Sequence, residues 1–568
     1  MYGLLQLFFL SLAVISLSQG LERSWIRKEL LGSPDTELSE NIAHFIEVPL
    51  DHFGSDNSST FLNRYWVNAS YYAPGGPVFL FDSGEQDAAP LLPYYLQEYH
   101  GLSATMRLAK RYGGLAILWE HRYYGDSQPF PVNENTTASE WKYLTTEQAL
   151  EDVVFFANSF SSSGVQNATL DEPLSLPLHP SVTPWVFLGG SYPGVRGTLL
   201  RIRSPETIFA TWASSAPVHA QVDMASYYKA AERSLTRNCS ADWVAVTRYV
   251  DNVLTGDDMA LKEDVKFRLV KARLSGPRGN TTGAAGLTKE QANSRSDVSV
   301  ASILMDPLNF YQYYGFAASL LPFCNLLETM NFTHAPEEGG ISSVDGIESA
   351  FDAYLIALSE LDYDEIPGSP DDPATDLAWM RQYCSEYGAA SFYVSFDWSI
   401  TSDSGFYQRG DASNPLSIET SLLSLDLFQR QCDETFSDSL PSWPEVGNIN
   451  KYGGWDMNPS NVMFANGEFD PWRTMGLASI EDNSPMRTPS PIVPACNTPP
   501  EGKSFFGLTY ANMVHVSDMR VLLVPDSNHS DFKTVGFYSP ISQEQFFTGL
   551  GLFQLALDEW LPCFNGSG

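Results

Sequence analysis

The chain has 568 residues, 43% of them hydrophobic and 13% aromatic, which is ample for a large core and excludes wholesale disorder. Against 33 Lys and Arg stand 68 Asp and Glu, a formal net charge of -35. Such a surface repels phosphate backbones and anionic lipid, so nucleic acid and acidic membranes are excluded as partners.

Leu4 to Leu17 is nearly all apolar and is followed by Ser18, Gln19 and Gly20, so residues 1–20 are expected to form a secretory signal. Short apolar runs bounded by turn residues predict buried strands at Pro77 to Phe81, Leu115 to Trp119, Trp185 to Leu188, Phe209 to Ala213, Asn461 to Ala465 and Val521 to Val524. Between the second and third, Thr145 to Phe160 carries Leu150, Val153, Val154, Ala157 and Phe160 at helical spacing behind a Thr cap. Strands alternating with helices predict an α/β fold whose mostly parallel sheet is covered on both faces. From about 217 to 455 the texture changes. Helical patterns occur at Met224 to Thr236 and Asp242 to Leu254, and Ser275 to Ser299 reads as a mobile loop. This stretch is expected to be a mainly helical cap inserted between two parts of one core, residues 21–216 and 456–568. A last helix is expected from Ser542 to Leu561, with Ser542 and Gln545 as a capping box and Phe546, Leu550, Phe553, Leu557 and Leu561 as the stripe that packs on the final strand.

Nine N-x-Ser/Thr sequons, at Asn57, Asn68, Asn135, Asn167, Asn238, Asn280, Asn331, Asn528 and Asn565, fit passage through a glycosylating compartment. The six cysteines show no CxxC and no zinc spacing, so they predict three disulfides, with fifteen pairings open. No later apolar run is long enough to span a bilayer, and the C-terminus has no hydrophobic tail, so a soluble protein is expected, secreted or held in a vacuolar or lysosomal lumen, with no membrane anchor.

The chemistry centres on Gly189-Gly190-Ser191-Tyr192-Pro193-Gly194, which follows one strand and opens a helix. A strand, a tight glycine turn with a central serine and a helix form a nucleophile elbow, where the helix start also supplies N–H groups for an oxyanion. The run Asn461 to Ala465 leads into Asn466-Gly467-Glu468-Phe469-Asp470-Pro471-Trp472, which puts an acid past the carboxyl end of a strand. Val521 to Val524 leads into Asp526, Asn528 and His529, which puts a histidine in the same position. The chain order Ser, Asp, His is that of the α/β-hydrolases, so Ser191 is the expected nucleophile, His529 the base and Asp470 its orienting acid. His515 precedes that strand and is expected to be structural; Glu468 is the rival acid. The oxyanion donors are expected to be the Tyr192 N–H and an amide of Gly84 or Glu85 in the loop after Phe81. No metal cluster and no phosphate loop stands out, so no metal and no cofactor is expected.

With these residues in view the chain resembles the secreted serine peptidase family of lysosomal Pro-X carboxypeptidase, the related lysosomal dipeptidyl peptidase and fungal acid prolyl endopeptidases. The resemblance rests on Gly189 to Tyr192, Glu120 to Ser127, Asn466 to Trp472 and His529 with Asp531; Gly453 to Met457 is similar to the fungal branch. It implies an α/β-hydrolase core with a helical cap, peptide or protein substrates cleaved after proline at acidic pH, and Trp472 against the proline ring. For the disulfides it implies Cys239–Cys324 and Cys384–Cys432 in the cap, which leaves Cys496 with Cys563. It also favours Asp470 over Glu468 as the acid. Catalysis near pH 4 to 5 would require a base kept neutral by burial, below the ordinary histidine pKa of about 6.5. Pro193 departs from the small residue usual there, although a first helical turn accepts proline. Exopeptidase members of the same family, and a retired scaffold without activity, are the alternative readings.

Overall fold

The computed structural model describes residues 42–55, 58–98, 101–160, 178–276, 281–308, 311–329, 338–360, 373–387, 391–393, 403–405, 409–411, 413–436, 440–525, 532–536 and 543–564. The expected signal segment, Ser542 and His529 lie outside them.

Among the described residues nine strands build the central sheet: β1 (His44–Pro49), β2 (Thr60–Asn68), β3 (Val78–Asp82), β4 (Leu115–Trp119), β5 (Trp185–Gly190), β6 (Ala210–Ser214), β7 (Val462–Gly467), β8 (Thr488–Ser490) and β9 (Ser504–Tyr510). Across the sheet they run β1-β2-β4-β3-β5-β6-β7-β9-β8. The first two pairings are antiparallel and the rest parallel. Strands β3, β4, β6 and β7 are buried throughout, because helices cover both faces and leave no side that must be polar. Hence their sequences read as unbroken apolar runs.

One face receives α1 (Thr146–Ser159) and α2 (Tyr192–Arg203), which bring Leu150, Val153, Phe156, Val195 and Leu199 onto Leu80, Ile117 and Phe187. Thr145 caps α1 by accepting from the Gln148 N–H at 3.3 Å. On the other face the last helix, Gln543–Trp560, lays Phe546, Leu550, Phe553 and Leu557 among Val186, Trp212 and Phe506. It packs on both β9 and the strand that contains the run at Val521.

That run is a correction to the sequence reading. Arg520–Pro525 is a strand, but it pairs antiparallel with Gly101–Ser103 and Phe532–Gly536 in a separate three-stranded sheet. The strand that follows β7 in the main sheet is β9, whose run is broken by Gly507. A side chain there would sit 1.7 Å from the Phe464 carbonyl oxygen, so the close approach of the β7 backbone requires glycine.

Between β6 and β7 the described chain is mostly helical, including α3 (Arg237–Thr255), Met259–Leu274, Ile347–Glu360 and Leu425–Phe436. The Met224 to Thr236 pattern yields only the short helix Lys229–Ser234. The stretch read as a mobile loop contains helices Lys289–Asn293 and Asp297–Ala301, the first started by a capping box between Thr288 and Gln291. Disulfides join Cys239 to Cys324, Cys384 to Cys432 and Cys496 to Cys563, the pairing expected. Among the described residues no helix is long and apolar enough to cross a membrane.

Candidate active site

Ser191 stands between β5 and α2 with φ 62° and ψ -132°. A non-glycine residue in this region costs about 1–3 kcal/mol, which neighbouring contacts must offset. They do so through glycine. A Cβ on Gly189 would lie 2.5 Å from the Pro193 carbonyl carbon, and one on Gly190 would lie 2.2 Å from Val516 Cγ1. The Ser191 N–H donates to the Ser214 carbonyl at 2.8 Å. Pro193 fits in the first turn of α2, where no earlier helical carbonyl claims an N–H. Its ring packs where Gly84 has no side chain: a Cβ on Gly84 would be 2.5 Å from Pro193 Cγ.

Asp470 follows β7 and starts a short 3-10 turn over Pro471–Met475, where its carboxylate accepts from the Trp472 N–H at 2.9 Å. It is fully buried, and its Oδ1 meets His515 Nδ1 at 3.0 Å. The rival acid, Glu468, instead accepts from the Asn512 N–H at 3.1 Å and braces the His515 loop.

His515, expected to be structural because it precedes Val521, lies after β9 and therefore follows the next strand of the main sheet. A carboxylate can only accept, so the His515 Nδ1 donates to it and Nε2 faces the other way from the ring. The loop is held on several sides. The His515 N–H donates to the Gln312 carbonyl at 3.2 Å, the Val516 N–H donates to Ser215 Oγ at 3.0 Å, and Ser214 Oγ donates to Asp518. Through Val516 this loop packs directly on Gly190, the residue before Ser191.

Beside this constellation a small, narrow cleft is lined by Tyr192, Met224, Tyr383, Tyr387, Trp472 and Met475, among others. Trp472 is one wall; its indole N–H donates to Gln312 Oε1 at 3.0 Å, an oxygen that also accepts from Tyr227. Gln312 thus ties the cap to both the His515 loop and the Trp472 wall. Nothing in the sequence marked it, because a lone Gln in a helical region carries no motif.

In the loop after β3 the Gly84 N–H donates to Asp82 Oδ1 at 2.9 Å, so this candidate oxyanion donor is already engaged. Glu85 lies at the cleft through Tyr383, whose hydroxyl donates to Glu85 Oε1 at 2.6 Å. Burial pushes the Glu85 carboxyl up to about 7, against the opposing pull of Tyr383 and of its own main-chain N–H. Glu386 behaves alike: burial pushes it up to about 7, although the Thr146 N–H and hydroxyl donate to it at 2.8 and 2.7 Å. His121 contacts the Tyr192 hydroxyl at 3.2 Å, and Arg122 grips Asp152 with two hydrogen bonds, so this pair supports the core from below.

A mostly parallel sheet in this strand order, with a serine on a strained strand-to-helix turn and a buried acid–imidazole pair on loops after later strands, defines an α/β-hydrolase core. Sequence comparison narrows this. The chain belongs to the serine carboxypeptidase S28 family, whose model matches residues 48–256 and 354–489, more than half of the chain. It is therefore a serine peptidase by family, although the match ends before either histidine. It is 26% identical to serine protease vicPb of Bipolaris victoriae over 76% of this chain and 79% of that protein. It is 26% identical to a probable extracellular serine carboxypeptidase of Arthroderma benhamiae over 77% of this chain and 59% of that one. Thymus-specific serine protease of Homo sapiens shares 27% identity over 78% of this chain and 80% of its own length. Among solved structures the chain is similar to proline iminopeptidase of Mycobacterium smegmatis at 11% identity and a TM-score of 0.27, covering 83% of this chain and 91% of that one.

Proposed function

We propose that the protein is a secreted serine peptidase that cleaves peptide bonds after proline at acidic pH, with Ser191 as nucleophile, His515 as general base and Asp470 as the acid that orients it. The observation that carries this reading is the buried His515–Asp470 pair, 3.0 Å apart, on a loop that packs against the elbow at Gly190. Ser191 Oγ attacks the carbonyl carbon while His515 Nε2 takes its proton; the same imidazole then protonates the leaving amine, and water completes hydrolysis of the acyl-enzyme. Tyr192, at the first position of α2, supplies one oxyanion N–H, and the loop after β3 supplies the other. The proline ring lies against Trp472, an apolar face that asks for no hydrogen bond from a residue without an N–H.

Acid operation is supported by Glu85 and Glu386, buried carboxyls at the cleft and cap that keep their protons until about pH 7. Secretion is supported by the apolar leader, the sequons and the three disulfides. The test combines fluorophosphonate labelling with hydrolysis of a quenched peptide that has an internal proline and both termini blocked. Ser191→Ala and His515→Ala are expected to lose labelling and hydrolysis, whereas His529→Ala keeps both. Loss in His529→Ala with retention in His515→Ala would reverse the base assignment. Labelling without cleavage of the blocked peptide would move the reading to an exopeptidase.

A further inference from the structure

Under the core, Asp82 and Arg196 form an ion pair with both side chains fully buried. It links the two elements from which an oxyanion site would be built. Asp82 ends β3, and its Oδ1 accepts from the Gly84 N–H at 2.9 Å while its Oδ2 accepts from Arg196. Arg196 lies one turn along α2 from Tyr192, with its guanidinium 5.8 Å from the Tyr192 ring centroid, and its other nitrogen donates to the Ala149 carbonyl of α1 at 2.7 Å. The loop's remaining amides are also accounted for. Ser83 N–H donates to the Trp119 carbonyl and Gln86 N–H to the Gly84 carbonyl, whereas the Glu85 N–H turns only to its own carboxyl, a contact within one residue that an oxyanion can replace, so Glu85 is the loop's donor.

We propose that the Asp82–Arg196 pair is a positioning device that fixes the loop after β3 against the start of α2, so that the Glu85 and Tyr192 amides stand at the separation a tetrahedral intermediate requires. The proposal rests on Ser191 as nucleophile. Stability gives no reason for an ion pair at this place, because apolar side chains of similar volume commonly hold a core as well or better once two charges need not be dehydrated. Geometry does. A planar guanidinium that bonds Asp82 with one nitrogen and Ala149 with another is directional, and catalytic donors must be held to within about 0.5 Å. Pro193 serves the same seam from the other side by filling the space over Gly84. Asp82 and Arg196 touch no substrate; they act through the loop and the helix.

The experiment compares the full-length protein with Asp82→Leu/Arg196→Met, which removes both charges together, and with Arg196→Lys, which keeps the charge but loses the planar group that bonds Asp82 and Ala149 at once. For the double variant kcat on the internal-proline peptide is expected to fall about 10- to 100-fold with KM within about threefold, because displacing a donor costs less than the roughly 100- to 1000-fold of removing one outright. Fluorophosphonate labelling should slow in parallel, and hydrogen exchange at 83–86 should rise while the sheet stays protected. Arg196→Lys is expected to lose kcat by a smaller factor at constant KM. A folded double variant with kcat within about twofold of wild type, or unchanged exchange at 83–86, overturns the proposal. If the double variant does not fold, full kcat in Arg196→Lys overturns it and a kcat-only loss supports it. Absence of labelling in the wild-type protein would refute the peptidase reading instead, and the exchange measurement would still test the clamp.

Discussion

Gly190 illustrates how much the site depends on a missing methyl group. Its Cβ would meet Val516 Cγ1 at 2.2 Å, so Gly190→Ala must push the His515 loop away from Ser191. We expect kcat to fall about 100-fold, the scale of a misplacement near 1 Å, with the secondary structure seen by circular dichroism unchanged. Gln312→Leu should act on binding. It removes the acceptor shared by Trp472 and Tyr227 but keeps the main-chain bond to the His515 N–H, so KM for proline peptides should rise roughly fivefold at nearly constant kcat in steady-state assays. Ser191 and Asp470 could be singled out because each stands in a run of glycine, proline and aromatic residues whose backbone demands are local. The meeting of His515 with Asp470 could not be read the same way. The strand before it, β9, carries a glycine dictated by the neighbouring β7 backbone, and that contact is invisible in one dimension.

At the level of elements, the segment Tyr383–Tyr387 of the cap meets α1 and α2 through Glu386, Tyr387 and Tyr192, and Cys384 fastens it to Leu425–Phe436. Glu386 sets a pH dependence with a definite sign. Its carboxyl keeps its proton in the folded chain to about pH 7, against an ordinary value of 4.5. Between those values the unfolded chain releases the proton and the folded chain does not, so this group's contribution to stability is lost as pH rises. In Glu386→Gln, which retains an acceptor for Thr146, Tm should fall less between pH 5 and pH 7.5 than in the wild-type protein; calorimetry at the two values checks this. A Tm difference that is the same at both pH values would place the ionisation elsewhere. The inner strands were legible because burial on both faces produces unbroken apolar runs. The Ser275 to Ser299 stretch misled because short capped helices need only local hydrogen bonds and carry no long apolar stripe.

Over the whole molecule, glycosylation should follow exposure and not sequon count. Asn135 is exposed in a loop, whereas Asn238 is buried in the first turn of α3 beside the disulfide-bonded Cys239. Mass spectrometry of the protein expressed through a secretory pathway is expected to find a glycan on Asn135 and none on Asn238. The α/β class was readable from alternation alone, since a parallel sheet needs crossover helices; the pairing of β6 with β7 across the cap was not, because no local pattern reports which distant strand a strand joins. That pairing sets Thr211 opposite Val462, so Ser191 and the Asp470–His515 pair belong to chain segments joined by hydrogen bonds of the sheet as well as by the peptide chain. A single proteolytic cut in the cap would therefore give two polypeptides on a reducing, denaturing gel while the native particle stayed whole. Maturation by nicking is physically open to this architecture, with Ser191 on one fragment and the Asp470–His515 pair on the other.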